Sequence, residues 1–116
     1  MKVKFNYVRL DYLDEIANGD NEFKKELINI FIKQIPDFID NMKKYLSENN
    51  YEALAKEAHT AKSSVMIFMM EETGDILKNI QLLANKGDKA NLPSMINKVD
   101  RRLKKASEEL ASYSGT

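Results

Sequence analysis

The stretch that decides the fold is residues 92–110, LPSMINKVDRRLKKASEEL. Its apolar residues recur at intervals of four and three, and polar or charged residues occupy most of the other positions. This spacing places the apolar side chains on one face of an α-helix. We therefore predict a long last helix that begins at Asn91 or Leu92 and has Pro93 in its first turn. The predicted stripe consists of Leu92, Ile96, Val99, Leu103, Ala106, Leu110 and Tyr113.

Two further helices are predicted before residue 48. Leu10, Leu13 and Ile16 indicate a short first helix. Asp20 is a suitable N-cap for a second helix that runs to about Ser47. The second helix carries two adjacent apolar stripes, so it must be covered on two sides or offer one side to a partner. A proline at position 36 predicts a kink and not a break, because both stripes continue beyond it.

Between these segments and the last helix, capping signals predict two more helices. Asn49 and Glu52 resemble a capping box that starts a third helix near Tyr51. A chain break at residues 72–74 would place Thr73 as the cap of a fourth helix, which Gly87 ends. No segment has the alternating pattern of a strand. The expected fold is therefore all-α: a single domain over residues 1–116, built as an antiparallel four-helix bundle with a short additional N-terminal helix and a frayed tail at 112–116.

Composition excludes several function classes. The chain has 116 residues, 43% of them hydrophobic, and its 18 basic and 18 acidic residues cancel to a net charge of zero. Long-range attraction to nucleic acid or to an anionic membrane is therefore not expected. Cysteine is absent and there is one histidine, which argues against a metal site in this chain. The start of the sequence has no apolar signal segment, and we expect a monomeric, cytoplasmic protein.

The single histidine lies on the third predicted helix, one step round from the apolar stripe. Its line on the helix surface contains Ala55, His59, Lys62, Ser63 and Met66, spaced as neighbours on one helical face. His59 should therefore face solvent or the rim of the bundle. The small side chains of Ala55 and Ser63, one turn to either side, would let a large partner approach the imidazole. The polarizable Met66 suits a docking surface for that partner.

Two lysines lie within one turn of this histidine. Lys62 follows His59 by three residues, and Lys56 precedes it by three. Nearby positive charge favours the neutral, nucleophilic imidazole and can compensate an anion attached to the ring. Phosphoryl transfer suits this arrangement, since it needs little from the acceptor beyond position and charge compensation. We interpret Lys56 as a solvated charge, and we give the same interpretation to the basic residues of the segment 101–105.

At these residues the sequence resembles the histidine-containing phosphotransfer (HPt) domain family of two-component phosphorelays. The family's pattern around the phosphorylated histidine is close to Ala-His-x-Leu-Lys-Gly-Ser, and residues 58–64 read AHTAKSS. Two positions of that pattern differ, because Ala61 replaces the usual leucine and Ser63 the usual glycine. Met69 stands where a glycine is often found, ten residues after the histidine.

The resemblance implies a role for each matching residue. His59 would take a phosphoryl group from an aspartate on a receiver domain and hand it to another aspartate. Lys62 would be the basic residue that stabilises the phosphoryl charge, and Ser63 and Ser64 would belong to the environment of the phosphohistidine. Gln81, on the next helix, falls where some members place a glutamine that hydrogen-bonds near the histidine.

The sequence therefore indicates a phosphoryl carrier and not an autonomous enzyme. No nucleotide-binding motif is visible, so a hybrid histidine kinase and response-regulator receiver domains are the expected partners, with Mg²⁺ and the acidic site supplied by the receiver. No cofactor is expected in this chain. Two alternatives stay open: a helical adaptor or inhibitor that binds a kinase or receiver without carrying phosphate, and a domain that belongs to a larger hybrid kinase.

Overall fold

The computed structural model describes residues 5–114, which form five α-helices and, within that range, no strand. Consecutive helices from the second to the fifth pack side by side, and the fifth returns to the second to close the bundle. The first helix packs on the second. The all-α four-helix bundle with a short additional helix is therefore confirmed. The elements are α1 (Asp11–Ala17), α2 (Asn21–Ser47), α3 (Tyr51–Ile67), α4 (Glu71–Asn85) and α5 (Leu92–Ser114).

The predicted stripes form the core. In α5 every stripe residue from Leu92 to Leu110 is buried, and Tyr113 is half-buried. On α2, Phe31 stacks on Phe68 at the end of α3, with ring centroids 4.4 Å apart. Both rings are at most 2% exposed, so this pair ties the two helices together at one end of the bundle. None of the helices within residues 5–114 has the length and apolar character that a membrane crossing requires.

The long second helix begins and continues as its sequence predicts. The Asp20 side chain accepts a hydrogen bond from the Phe23 backbone N–H at 3.0 Å, which confirms it as the N-cap. One helix runs unbroken through Pro36, and it packs against α3 and α5 as well as α1. At 27 residues and about 1.5 Å per residue, α2 is roughly 40 Å long and spans most of the 45 Å length of the molecule.

The cap predicted for the third helix is wrong by one residue. The side chain of Asn50, and not that of Asn49, accepts a hydrogen bond from the Ala53 backbone N–H at 3.2 Å. Asn49 instead adopts a left-handed conformation with φ of +55°. The turn after α2 requires one left-handed residue, and asparagine tolerates that conformation better than most L-residues. The first asparagine therefore reverses the chain and the second caps α3.

The fourth helix also begins earlier than predicted. It starts at Glu71, while Thr73 is fully buried and accepts a hydrogen bond from Arg102 Nε at 2.8 Å. The chain reverses at residues 68–70, where Met69 has φ of +57°. Within the described part of the chain no side chain caps α4, but Glu71 and Glu72 place negative charge in its first turn, which favours a helix N-terminus there.

Two polar side chains of α5, Arg102 and Glu109, contact other parts of the chain. Arg102 is half-buried, pairs with Glu72 at 3.1 Å and lies over the Tyr7 ring, 5.3 Å from its centroid. Glu109 accepts hydrogen bonds from the backbone N–H groups of residues 6–8 at 2.9–3.2 Å. The interpretation of segment 101–105 as a solvated face is therefore wrong for Arg102. The helix also includes Ser112 and Tyr113, assigned above to a frayed tail, whereas residues 1–4 and 115–116 lie outside the described range.

Candidate functional site

The only histidine is exposed near the middle of α3, as its position beside the apolar stripe predicts. Its two nearest stripe neighbours, Ala58 and Ala61, are fully buried, so the imidazole stands on the outer edge of a helix that is firmly held in the core. The Ser63 hydroxyl donates to the His59 backbone carbonyl at 3.3 Å and leaves the ring itself untouched. Among residues 5–114 no side chain hydrogen-bonds to the imidazole, which is therefore open to a partner from outside.

A shallow groove between α3 and α4 runs past the imidazole. Its volume is about 430 Å³. The groove brings Gln81 of α4 to the same surface as His59, which is where the resemblance places a glutamine. The lining residues are Glu52, Ala55, Lys56, His59, Thr60, Gln81 and Asn85.

The lysine three residues after the histidine is held against α4. Lys62 is half-buried, and an ideal Cβ built on Gly74 would lie 3.9 Å from Lys62 Cγ. The same Cβ would lie 2.8 Å from the Met66 sulfur, closer than real Cβ atoms come to a neighbour. Glycine at this buried position of α4 therefore lets the Lys62 and Met66 stems lie close to the α4 backbone, with the lysine stem confined beside His59.

The two lysines that flank His59 differ in their surroundings. Lys56 is exposed and lies 3.5 Å from the carboxylate of Glu52, one turn earlier on the same helix. An exposed pair of this kind contributes little stability, and it partly neutralises the Lys56 charge. Lys62 forms no ion pair with any residue in the described range. Its charge is therefore available to an anion that arrives at the imidazole.

Ser64 lies away from the site. It follows His59 by five residues, which turns it about 140° from the histidine on an α-helix. Its hydroxyl is 3.4 Å from Oε1 of Gln34 on α2, to which it donates a hydrogen bond. The assignment of Ser64 to the surroundings of the phosphohistidine is therefore corrected: it joins α3 to α2. Ser63, in contrast, is exposed on the same side as His59.

The two residues predicted to dock a partner differ in accessibility. Met66 is 39% exposed and Ala55 is 5% exposed. Met66 can therefore offer contact area, whereas Ala55 forms part of the floor of the groove and keeps it open by being small. Their contribution to docking stays a prediction. In the part of the chain that the structure describes, no three His, Asp or Glu side chains are grouped so that they could hold a metal ion.

Sequence reasoning predicted Gln81 of α4 near His59 but missed the close packing of α4 on α3 at Gly74. Gly74 had been assigned to a turn, because glycine is a common helix breaker and Thr73 is a plausible cap. In the structure it is buried inside α4 and contacts α3. The available signal was the pair Glu71 and Glu72, which suits a first helical turn and would have placed Gly74 one turn into the helix.

Comparison with known proteins shows the family to which this chain belongs. The Hpt domain family model matches residues 26–113, more than half of the chain. Over 79 residues the chain is 30% identical to the phosphorelay intermediate protein YPD1 of Candida albicans, a match that covers 68% of this chain and 40% of that protein. The crystal structure of histidine-containing phosphotransfer protein B (HptB) from Pseudomonas aeruginosa PAO1 superposes with a TM-score of 0.88 over 97% of both chains, at 13% identity.

The chain therefore belongs to the Hpt domain family. The bacterial structure supports the fold alone, since the two sequences are only 13% identical. The matched region is 40% of the fungal relative, which therefore extends well beyond it. What the family implies for the activity of this chain depends on its own residues, of which His59, Lys62 and Gln81 lie on one surface.

Proposed function

We propose that this protein carries a phosphoryl group on His59 between receiver-domain aspartates in a two-component phosphorelay. The observation that carries the proposal is the exposed imidazole of α3, with Gln81 across the groove and Lys62 one turn away. Lys62 forms no ion pair with any described residue. The small or flexible side chains around the ring leave room for a partner active site. The membership of the Hpt family and the name of the fungal relative support the same role.

The transfer step uses the lone pair of His59 Nε2. This nitrogen attacks the phosphorus of an aspartyl phosphate on the receiver, and the bond between phosphorus and the aspartate oxygen breaks. The aspartate leaves as a carboxylate, an N–P bond forms, and the proton on the other ring nitrogen passes to solvent. Transfer to the next receiver is the reverse reaction with a different aspartate. The chain needs to supply position and charge for this step, and little else.

Lys62 compensates charge during that step. Its ammonium group is one turn from His59, and its half-buried stem limits the positions that it can take. A cation held beside the phosphoryl oxygens stabilises the negative charge in the transition state and on the phosphohistidine. Gln81 carries an amide that can donate a hydrogen bond to the same oxygens from α4.

The partner supplies the rest of the site. We infer that receiver domains and a hybrid histidine kinase are the partners, and that the receiver brings Mg²⁺ together with its own acidic residues. This chain then acts as a monomeric carrier and not as a kinase. The exposed surface around Ser63 and Met66 would face the receiver, because it surrounds His59 on the outer side of α3.

Incubation with a phosphorylated receiver domain tests the proposal. The wild type should accept one acid-labile, base-stable phosphoryl group, and His59→Gln should accept none while its helical circular dichroism is unchanged. Asn97→Gln, at an exposed position of α5, is the matched control and should accept phosphate normally. Phosphorylation of the His59→Gln variant would show that the site is wrong. Tight receiver binding without transfer by the wild type would favour the adaptor alternative.

A further inference from the structure

The register between α3 and α4 is fixed by contacts on the His59 side of the bundle. Met66 lies against Gly74, and His59 shares the groove with Gln81. Seven residues separate Met66 from His59 along α3, and seven separate Gly74 from Gln81 along α4 in the opposite direction. The two antiparallel helices therefore stay in step for two turns.

This register places two lysines opposite one another. Lys62 precedes Met66 by four residues, and Lys78 follows Gly74 by four, so each lies one turn along its own helix from that contact. Lys62 is also three residues from His59, as Lys78 is three residues from Gln81. Gly74, Gln81 and Asn85 of α4 meet this side of α3. Helical spacing places Lys78 on the same face of α4 as these three residues. Lys78 therefore has the same register position on α4 that Lys62 has on α3, with Lys78 exposed and Lys62 half-buried.

A pair of facing lysines does not serve the stability of the fold, because like charges on neighbouring helices repel. Neither Lys62 nor Lys78 forms an ion pair with any residue between 5 and 114. The nearest acidic residue of α4, Asp75, is three residues before Lys78 and forms no ion pair with it in that range. On the opposite side of the bundle, in contrast, Lys43 and Lys104 converge on Asp100 at 2.7 and 3.0 Å.

We propose that Lys78 is a second cation of the phosphoryl site, which binds the oxygens of the group on His59 from α4 while Lys62 binds them from α3. The ligand is a phosphoryl dianion attached to an imidazole nitrogen of His59, one turn from the two lysines, whose long side chains would bring their ammonium groups to its oxygens. The inference rests on the proposed function. It adds a residue to which neither the sequence motif nor the comparisons assign a role.

The test uses phosphoramidate, a small anionic donor that phosphorylates exposed histidines without a partner protein. His59 Nε2 attacks its phosphorus, the P–N bond of the donor breaks, and the leaving nitrogen takes a proton and departs as ammonia. The rate at which phosphohistidine forms is measured for the wild type, Lys78→Gln, Lys78→Arg and Lys62→Gln. Lys98→Gln, which removes one exposed charge from α5, is the matched control.

Lys78→Gln should slow phosphorylation about threefold at low ionic strength, the factor expected for one unit charge at about 6 Å in water-like surroundings. The difference should shrink in 0.5 M salt, roughly where screening extends only a few ångströms. Lys78→Arg should retain the wild-type rate, Lys62→Gln should slow phosphorylation by a similar factor, and the control should not. The melting temperature of Lys78→Gln should not fall, because it loses a repulsion and no attraction.

Equal rates for Lys78→Gln and the Lys98→Gln control would overturn the inference. It would also be overturned if Lys78→Gln lost only affinity for a receiver domain, because Lys78 would then be a docking residue. The proposed function fails by a different result, namely no transfer between the wild type and any receiver. The phosphoramidate rates do not depend on that result.

Discussion

Replacement of Met69 by glycine should stabilise the protein. Met69 has φ of +57° in the turn between α3 and α4, at a position where the family often has glycine. This left-handed conformation costs an L-residue about 1–2 kcal/mol, whereas glycine adopts it without steric strain. Part of this gain is offset, because glycine is more flexible in the unfolded chain and its ordering on folding costs about 0.4–1 kcal/mol more. The half-buried methionine side chain also loses some contact.

The expected net gain for Met69→Gly is about 0.5–1 kcal/mol of unfolding free energy. Urea unfolding followed by circular dichroism measures it, with an unchanged dependence on urea concentration as the sign that both end states are the same. Asn49→Gly is the matched control, because Asn49 has φ of +55° in the preceding turn and asparagine tolerates that conformation at lower cost. Its gain should be smaller.

A loss of stability in Met69→Gly would refute this reasoning. It would mean that the contacts of the methionine side chain outweigh its backbone strain, and that this chain has adapted the turn to methionine. Transfer by His59 should be unaffected in either case, because Met69 lies beyond the end of α3 and outside the groove that holds the histidine.

Two further predictions concern the site and the pH dependence of folding. Lys62→Ala should slow transfer about threefold or more with little loss of receiver affinity, whereas Ser63→Phe should mainly abolish binding; equal affinity losses would make Lys62 a docking residue. Burial alone would raise the pKa of Asp100, but the hydrogen bond from Lys43 and the nearby Lys104 outweigh it and hold that pKa below its usual value. This carboxylate therefore stabilises the fold above about pH 4, and the stabilisation is lost as the pH falls through the lowered pKa. Asp100→Asn should cost about 1–2 kcal/mol in urea unfolding at pH 6. The cost should decrease steadily as the pH is lowered below about 4, and a cost that does not change over that range would contradict the assignment.

The helices could be predicted because their signals are long and redundant. Six apolar residues at alternating intervals of four and three identify the buried face of α5, and one substitution would not hide the pattern. The turns depend on single residues and are less secure. Asn49 and Asn50 can each cap a helix or reverse the chain, and their sequence does not say which does which. The turn at Met69 has no glycine or proline to mark it.

The candidate site divides in the same way. Residues on α3 could be placed around His59, because the periodicity of a single helix fixes the angle of each residue around its axis. This periodicity correctly predicted the exposure of His59 and the position of Lys62 beside it. Contributions from α4 depend on the register between two helices. That register in turn depends on the true start of α4 and on the contact between Gly74 and Met66. Gln81 could still be predicted, because it was found by aligning the chain with the family pattern without gaps, and such an alignment does not depend on where α4 starts.

Met69 and Ser63 stand where the resembled pattern has glycine, and the two replacements have different effects. The first affects the backbone conformation of a turn, and the second affects helix stability and access to His59. Met69 has a left-handed backbone conformation, which is unfavourable for a residue with a side chain and lowers the free energy of unfolding. Ser63 lies inside α3, one turn before its end, with helical neighbours and an exposed side chain. Glycine there would lower helix stability by about 0.5 kcal/mol and relieve no strain. A glycine at that position can benefit only the approach of a partner to His59. The serine hydroxyl bonds back to the His59 carbonyl, which keeps the added atoms close to the helix. The chain thus gains helix stability at Ser63 and still leaves the path to the imidazole open.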